Sequence, residues 1–246
     1  MITRRTLLAL LTAAPPARIA VIAHRGEHFR NPENSLAGIE AATKMGVDYV
    51  EIDVRTTRDG SVVLMHDPSV DRMTDGHGVV AELSGRDIGA LELKGGGKVP
   101  SLDEALETLR AGGAGVYLDS KQISATDIMR SLSSHRMLER AVIYGSLTLL
   151  RQLAALGPLP RVMPEAHSLE TLRSLLTELK ARVVAFDHRD WKDEIIDVAR
   201  KAGVDIYVDR LGAGDHRLQW EEAIRKGATG IQTDHPAELI AFLSNR

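Results

Sequence analysis

The chain has 246 residues, with 31 basic against 34 acidic side chains, a net charge of −3 and 43% apolar content. That length suits one packed domain, and balanced charge with only 4% aromatics excludes a polyanion-binding stripe or a base-stacking platform for nucleic acid. The absence of cysteine excludes disulfides, thiolate zinc sites and a thiol nucleophile, so any metal must rest on oxygen or imidazole, which favours a hard divalent cation.

Residues 1–17 read as a signal segment: Arg4 and Arg5, a short apolar run from Thr6 to Ala14, then Pro15 and Pro16. Thr3-Arg4-Arg5-Thr6-Leu7-Leu8 is similar to a twin-arginine export signal, although Thr6-Leu7 fits its apolar half loosely. The run is too short to span a membrane. The expectation is a periplasmic or secreted protein whose domain occupies residues 18–246. The alternative is a ragged cytoplasmic N-terminus, because a strand begins at Arg18 with almost no linker before it.

The first strand, Ile19–Ala23, runs into His24-Arg25-Gly26. Arg25 offers a planar fork for phosphate oxygens and His24 a proton carrier near neutral pH; a packed histidine beside a surface arginine is the plain alternative. The second strand, Asp48–Asp53, carries Glu51 and Asp53 two residues apart and therefore on one face. Such a pair repels itself unless a cation or basic side chain sits between them. Val62–His66 is an additional β-like run after Asp59-Gly60, a hairpin turn signal. Folding about that dipeptide sets Asp53 opposite His66 and keeps the run outside the main strand count; a slip of one residue would turn His66 away. Asp67 either orients the His66 ring or lies on the surface. Residues 68–99 form an excursion in which Gly95-Gly96-Gly97-Lys98 lacks P-loop spacing and reads as a flexible surface loop.

Ser101-Leu102-Asp103-Glu104 is a capping box, and Gly112-Gly113 stops the helix it opens. The strand Gly115–Asp119 ends in Asp119-Ser120-Lys121, one acid and one base on a shared face, either a third ligand beside a phosphate-neutralising amine or a simple ion pair. Five further strands follow at Ala141–Tyr144, Arg161–Met163, Val183–Phe186, Asp205–Val208 and Gly230–Gln232, separated by helical stripes at Leu169–Leu179, Ile195–Ala199 and Leu218–Arg225. Asp187-His188, Asp209-Arg210 and Asp215-His216 lie near later strand ends, where they could contact the leaving group, and most of them read as solvated loop residues. Eight apolar strands alternating with helices, without a Gly-rich dinucleotide turn after the first, predict an α/β (β/α)8 TIM barrel with a small insertion after the hairpin. Its chemistry is expected at the carboxyl ends of the strands.

In order, His24-Arg25-Gly26, Pro32-Glu33-Asn34-Ser35, Glu51-Ile52-Asp53-Val54, Asp59-Gly60, His66-Asp67, Val99–Glu104 and Gly230–Pro236 resemble the glycerophosphodiester phosphodiesterase family, over roughly Ala20 to Leu239. The resemblance implies a barrel that releases an alcohol and glycerol 3-phosphate. It implies that His24 and His66 are the general acid and base, and that Glu51 and Asp53 hold calcium or magnesium with Asp119 as third ligand. Arg25 and Lys121 would bind phosphate, and Glu33 and Asn34 would line the site. The expected partner is a small glycerophosphodiester, with no nucleic acid and no stable membrane insertion. Two positions depart from the family. Asp119 stands where glutamate is usual, one methylene shorter. Tyr207-Val208-Asp209-Arg210 stands where the penultimate strand often ends in an aromatic-threonine pair, on the leaving-group side. A lysophospholipid- or sphingolipid-cleaving relative would need an apolar rim, which residues 68–99 do not supply, and a silent binding protein would not need both histidines and three carboxylates.

Overall fold

The computed structural model describes residues 18–186 and 191–246. Residues 1–17 and the Asp187-His188 pair lie outside them. In chain order the strands are β1 (Ala20–Ala23), β2 (Tyr49–Thr56), β3 (Val62–Leu64), β4 (Gly115–Gln122), β5 (Ala141–Gly145), β6 (Arg161–Val162), β7 (Val183–Phe186), β8 (Asp205–Arg210) and β9 (Gly230–Thr233). The helices are α1 (Leu36–Met45), α2 (Gly85–Ala90), α3 (Leu102–Gly112), α4 (Ala125–Ser134), α5 (Leu147–Leu156), α6 (Leu169–Glu178), α7 (Asp193–Lys201), α8 (Arg217–Lys226) and α9 (Pro236–Ser244).

Eight strands run parallel in the order β6-β5-β4-β2-β1-β9-β8-β7, with β3 pairing antiparallel to β2 off that path. A bridge between Glu165 and Ala185 joins the two remaining edges, supported by Ala166 N–H on Ala185 O and Ala185 N–H on Pro164 O, both 3.0 Å. The sheet therefore comes round into the expected (β/α)8 barrel.

Alternation along the strands separates two cores. Val50, Ile52, Val54, Val116 and Leu118 face outward into the main cluster shared with the helices. Ile22, Tyr117, Val142, Met163, Val183 and Tyr207 face inward and fill the barrel. Near its floor Arg161 hydrogen-bonds Tyr49 and pairs with Asp205 at 3.3 Å. Apolar filling below leaves the top of the barrel for polar side chains. Residues that match in register across parallel strands face the same way, and Asp53 is aligned with Asp119.

The capping box forms as read: Ser101 Oγ accepts from Glu104 N–H, and Glu104 Oε2 accepts from Ser101 N–H at 2.9 Å. The hairpin differs from expectation. Val54 pairs with Leu64, Arg55 with Val63 and Thr56 with Val62, so Asp53 faces Met65 and not His66. The connection is a three-residue loop with Gly60 at φ 82°, not a two-residue turn, and the odd loop shifts the register by one. His66 follows the strand, and its carbonyl is held by Arg55 Nε and Nη2 at 3.1 and 2.7 Å.

The glycine run in the insertion folds into a hydrogen-bonded turn. Gly95, Gly96 and Gly97 all adopt left-handed φ, Leu93 N–H bonds Gly97 O, and Glu92 bridges to Lys98. Val63, Met65, Val70, Val80, Ile88, Leu93 and Val99 form a small core of their own beneath it. No helix among the described residues is long and apolar enough to cross a membrane.

Candidate active site

A cavity of about 250 Å³ opens among the carboxyl ends of the barrel strands, lined in part by His24, Arg25, Glu51, Asp53, Asp119 and Lys121. Glu51 and Asp53 are 2% and 1% exposed, and carboxylate oxygens of Glu51, Asp53 and Asp119 lie within 4.8 Å of one another. Burial, then the charges of Asp53 and Asp119, push the Glu51 carboxyl well above its ordinary value; burial likewise raises Asp119, with Lys121 offsetting part of it. Three crowded oxygen donors with no sulfur ligand fit a hard divalent cation.

The basic side chains stand over this cluster. Lys121 Nζ lies 2.7 Å from Asp119 Oδ2 and 3.2 Å from Asp53 Oδ1. Despite burial, those two carboxylates hold the Lys121 ammonium above its ordinary value. Arg25 Nη1 donates to Glu33 Oε1 at 3.1 Å. Arg25 Nε sits 3.2 Å from Asp53 Oδ2 in an ion contact whose angle makes no hydrogen bond, leaving that buried N–H without a hydrogen-bond partner.

The loop after β1 is shaped around these contacts. Arg25 and Asn34 adopt φ of 52° and 56°, which costs a non-glycine residue about 1–2 kcal/mol. Arg25 N–H donating to Glu51 Oε2 at 2.9 Å and Asn34 N–H donating to Arg25 O at 3.0 Å offset that cost. Asn34 also donates Nδ2–H to Asp53 Oδ2 at 2.8 Å and accepts Asp53 N–H at 3.0 Å, so it fixes the carboxylate it lines. Ser35 caps α1, accepting Gly38 N–H. Gly26, at φ 84°, packs so closely on α1 that a Cβ would lie 2.8 Å from the Gly38 carbonyl carbon.

Both histidines are held by a carboxylate through Nδ1. His24 donates to Asp234 Oδ1 at 2.7 Å, and His66 to Asp67 Oδ1 at 2.7 Å. An ionised carboxylate only accepts, so each ring carries its proton on Nδ1 and keeps Nε2 for chemistry. His24 lines the cavity, whereas His66 is not part of its lining; the His66 side chain is 35% exposed and lies near enough to Glu33 and Asp119 to interact with both. Arg72 clamps this side: it donates to Asp67 at 2.5 and 3.2 Å and to Glu33 at 2.7 and 3.0 Å. Hydrogen bonds from Arg72 and then His66 hold Asp67 well below the carboxylate range, against the effect of burial.

Several participants escape a reading of the sequence alone. Asp234 sits in the closing-strand motif without an assigned role, and it receives both His24 and His28 Nε2, the latter at 3.0 Å. Burial would raise the Asp234 carboxyl, but the two imidazoles and Gly212 N–H hold it far below its ordinary value. Asp215, expected in a solvated loop, is 6% exposed; it accepts from Thr233 Oγ1, Trp220 Nε1 and Asp234 N–H, so it braces the backbone of Asp234. Arg210 is buried with its guanidinium 5.6 Å from the Trp191 ring centre. Asp209 lines the cavity from β8 and is open to it, and the surrounding barrel wall with the charges of Glu165 and Asp119 pushes its carboxyl up although His24 pulls the other way. A shared trait, position at or just beyond a strand's carboxyl end, marks Asp209, Asp234 and Glu165.

The family model of the glycerophosphoryl diester phosphodiesterases matches residues 24–238. The Bacillus subtilis glycerophosphodiester phosphodiesterase is 27% identical over 90% of this chain and 85% of its own length, and the Caldanaerobacter subterraneus protein of that name is 27% identical over 89% and 96%. The structure of glycerophosphodiester phosphodiesterase from Agrobacterium tumefaciens superposes with a TM-score of 0.80 at 27% identity, covering 91% of this chain and 99% of that one. An Oleispira antarctica phosphodiesterase in complex with the product sn-glycerol-3-phosphate shares the fold at a TM-score of 0.81 and 21% identity, over 92% and 96%. With its family model spanning all the motifs that form the cavity, the chain belongs to the glycerophosphoryl diester phosphodiesterase family.

Proposed function

We propose that this chain is a metal-dependent glycerophosphodiester phosphodiesterase in which His24 and His66 move the protons. The observation that carries this reading is the carboxylate trio Glu51, Asp53 and Asp119 in one cavity with His24, and His66 near enough to act on Asp119, each histidine held through Nδ1 by its own carboxylate. A calcium or magnesium ion held by the trio would supply positive charge to a phosphoryl oxygen. Lys121 and the unsatisfied Nε–H of Arg25 offer donors to the remaining phosphate oxygens.

One imidazole takes the proton of the attacking oxygen through Nε2, and the other gives a proton to the departing alkoxide. The bond from phosphorus to the headgroup oxygen breaks, a new bond to the attacking oxygen forms, and glycerol 3-phosphate and an alcohol leave. The attacking oxygen is either water or the glycerol hydroxyl of the substrate itself, the latter passing through a cyclic phosphate that water then opens. Glu33 and Asn34 act through Arg25 and Asp53, keeping both at the cavity wall.

The site fits export as well as cytoplasmic work, and the reading of residues 1–17 as an export signal stands as part of this proposal. His24→Ala and His66→Ala should each lower kcat on glycerophosphoethanolamine by about 10² to 10⁴. Turnover near the wild-type rate in either variant would remove that histidine from the mechanism.

A further inference from the structure

The cavity has two unlike ends. At one, Arg25 and Lys121 stand against Asp53 and Asp119. At the other, Glu165 and Asp209 line the wall, and among the described residues no lysine or arginine side chain pairs with either. Arg210, next to Asp209 in the chain, is turned onto Trp191 and gives Nη1–H to the Asp209 backbone carbonyl, not to its carboxylate. Tyr144 Oη donates to Glu165 Oε2 at 2.7 Å, which satisfies one oxygen of the two carboxylates.

An independent feature points at the same space. Gln232 is in register with Asp209 across β8 and β9, only 6% exposed, and lines the same cavity. Its Oε1 has no hydrogen-bond partner. A buried acceptor left unmade costs about 1–3 kcal/mol, a cost that a donor brought against Gln232 at this wall of the cavity would remove.

The donor must also answer two carboxylates. A hydroxyl brings one O–H and no charge; a primary ammonium brings three N–H donors and a full positive charge. The rings of Tyr117 and Tyr144, 6.5 Å apart and edge to face, add aromatic surface that a cation tolerates better than an anion does. We propose that Glu165, Asp209 and Gln232 Oε1 form a subsite for the primary ammonium of an amino-alcohol headgroup, so that ethanolamine-type glycerophosphodiesters are selected over those with neutral polyol headgroups. This inference rests on the phosphodiesterase reading above.

The test compares kcat/KM for glycerophosphoethanolamine and glycerophosphoglycerol in the wild type, in Asp209→Asn and in Glu165→Gln. The wild type should favour the ethanolamine diester by about tenfold or more, and either substitution should shrink that ratio toward one. A wild-type ratio near one overturns the proposal. So does a substitution that lowers both substrates by the same factor, because that result places the acids on the glycerol half common to both. Binding of O-phosphoethanolamine, measured by calorimetry on the full chain, needs no turnover. Affinity for O-phosphoethanolamine lost in Asp209→Asn and in Glu165→Gln supports the subsite, and affinity unchanged in both overturns it. That loss of binding without hydrolysis of either diester by the wild type would sink the phosphodiesterase reading and leave the subsite standing.

Discussion

Asp234→Asn keeps the size of the side chain and removes the charge that two imidazoles share. Oδ1 of Asp234 receives His24 at 2.7 Å and His28 at 3.0 Å, and Oδ2 receives Gly212 N–H at 3.0 Å. A hydrogen bond to a charged group contributes about 1.5–3 kcal/mol against about 1 for a neutral one, a difference of about 0.5–2 kcal/mol at a carboxylate whose side chain is 15% exposed. If the amide turns its NH2 toward His24, Nδ1 must accept and Nε2 must carry the proton, which disables the ring as a base. Because the contact strengthens as His24 becomes cationic, the loss should fall on kcat and not on KM. A loss of 1.4–2.8 kcal/mol, allowing for the tautomer change, is a fall of about 10- to 100-fold in kcat. The assay is glycerol 3-phosphate release at saturating and limiting substrate, with Tm as a check on folding. Losing part of the Gly212 contact, about 1 kcal/mol, should lower Tm by about 2–4 °C. A folded variant with kcat within twofold of wild type would refute the role of Asp234 as a positioning residue.

Two further predictions concern stability. Ser101→Ala removes the capping box of α3 and should cost about 1 kcal/mol in urea denaturation, with unchanged turnover; no loss would mean the helix start is held by packing alone. Asp67 and Asp234 have folded-state carboxyls depressed below the unfolded value of about 3.9, so their stabilisation is complete above that pH and is lost as pH falls through the folded values. Tm should therefore drop below about pH 4, and less steeply in Asp67→Asn; parallel Tm curves for the two proteins would contradict that assignment.

Period-two alternation made the barrel readable, because strands such as β4 put Val116 and Leu118 toward the helices and Tyr117 and Asp119 inward. The carboxylate cluster was readable for the same reason: Glu51 and Asp53 share a face two residues apart. Register was not readable. Asp59-Gly60 signals a hairpin, but the loop length that decides whether Asp53 meets His66 or Met65 depends on the left-handed bulge at Gly60. Nor does local sequence reveal that Asp234, 210 positions from His24, completes its hydrogen bond, since only the parallel pairing of β1 with β9 brings them together. The three consecutive glycines look like slack chain until Glu92 and Lys98 are seen to bridge across them. The sequence leaves Asp209 between a loop acid and a contact to the leaving group; its place in the cavity wall beside Gln232 is a relation that exists only across strands.

The most direct test of the central claim is glycerol 3-phosphate release from glycerophosphoethanolamine after chelation, then after adding calcium or magnesium back. The account predicts that release stops with chelator and returns with one of these cations, and that Asp53→Asn abolishes the return. Release that continues undiminished in chelator would contradict the assignment of Glu51, Asp53 and Asp119 as the metal ligands on which the hydrolysis depends.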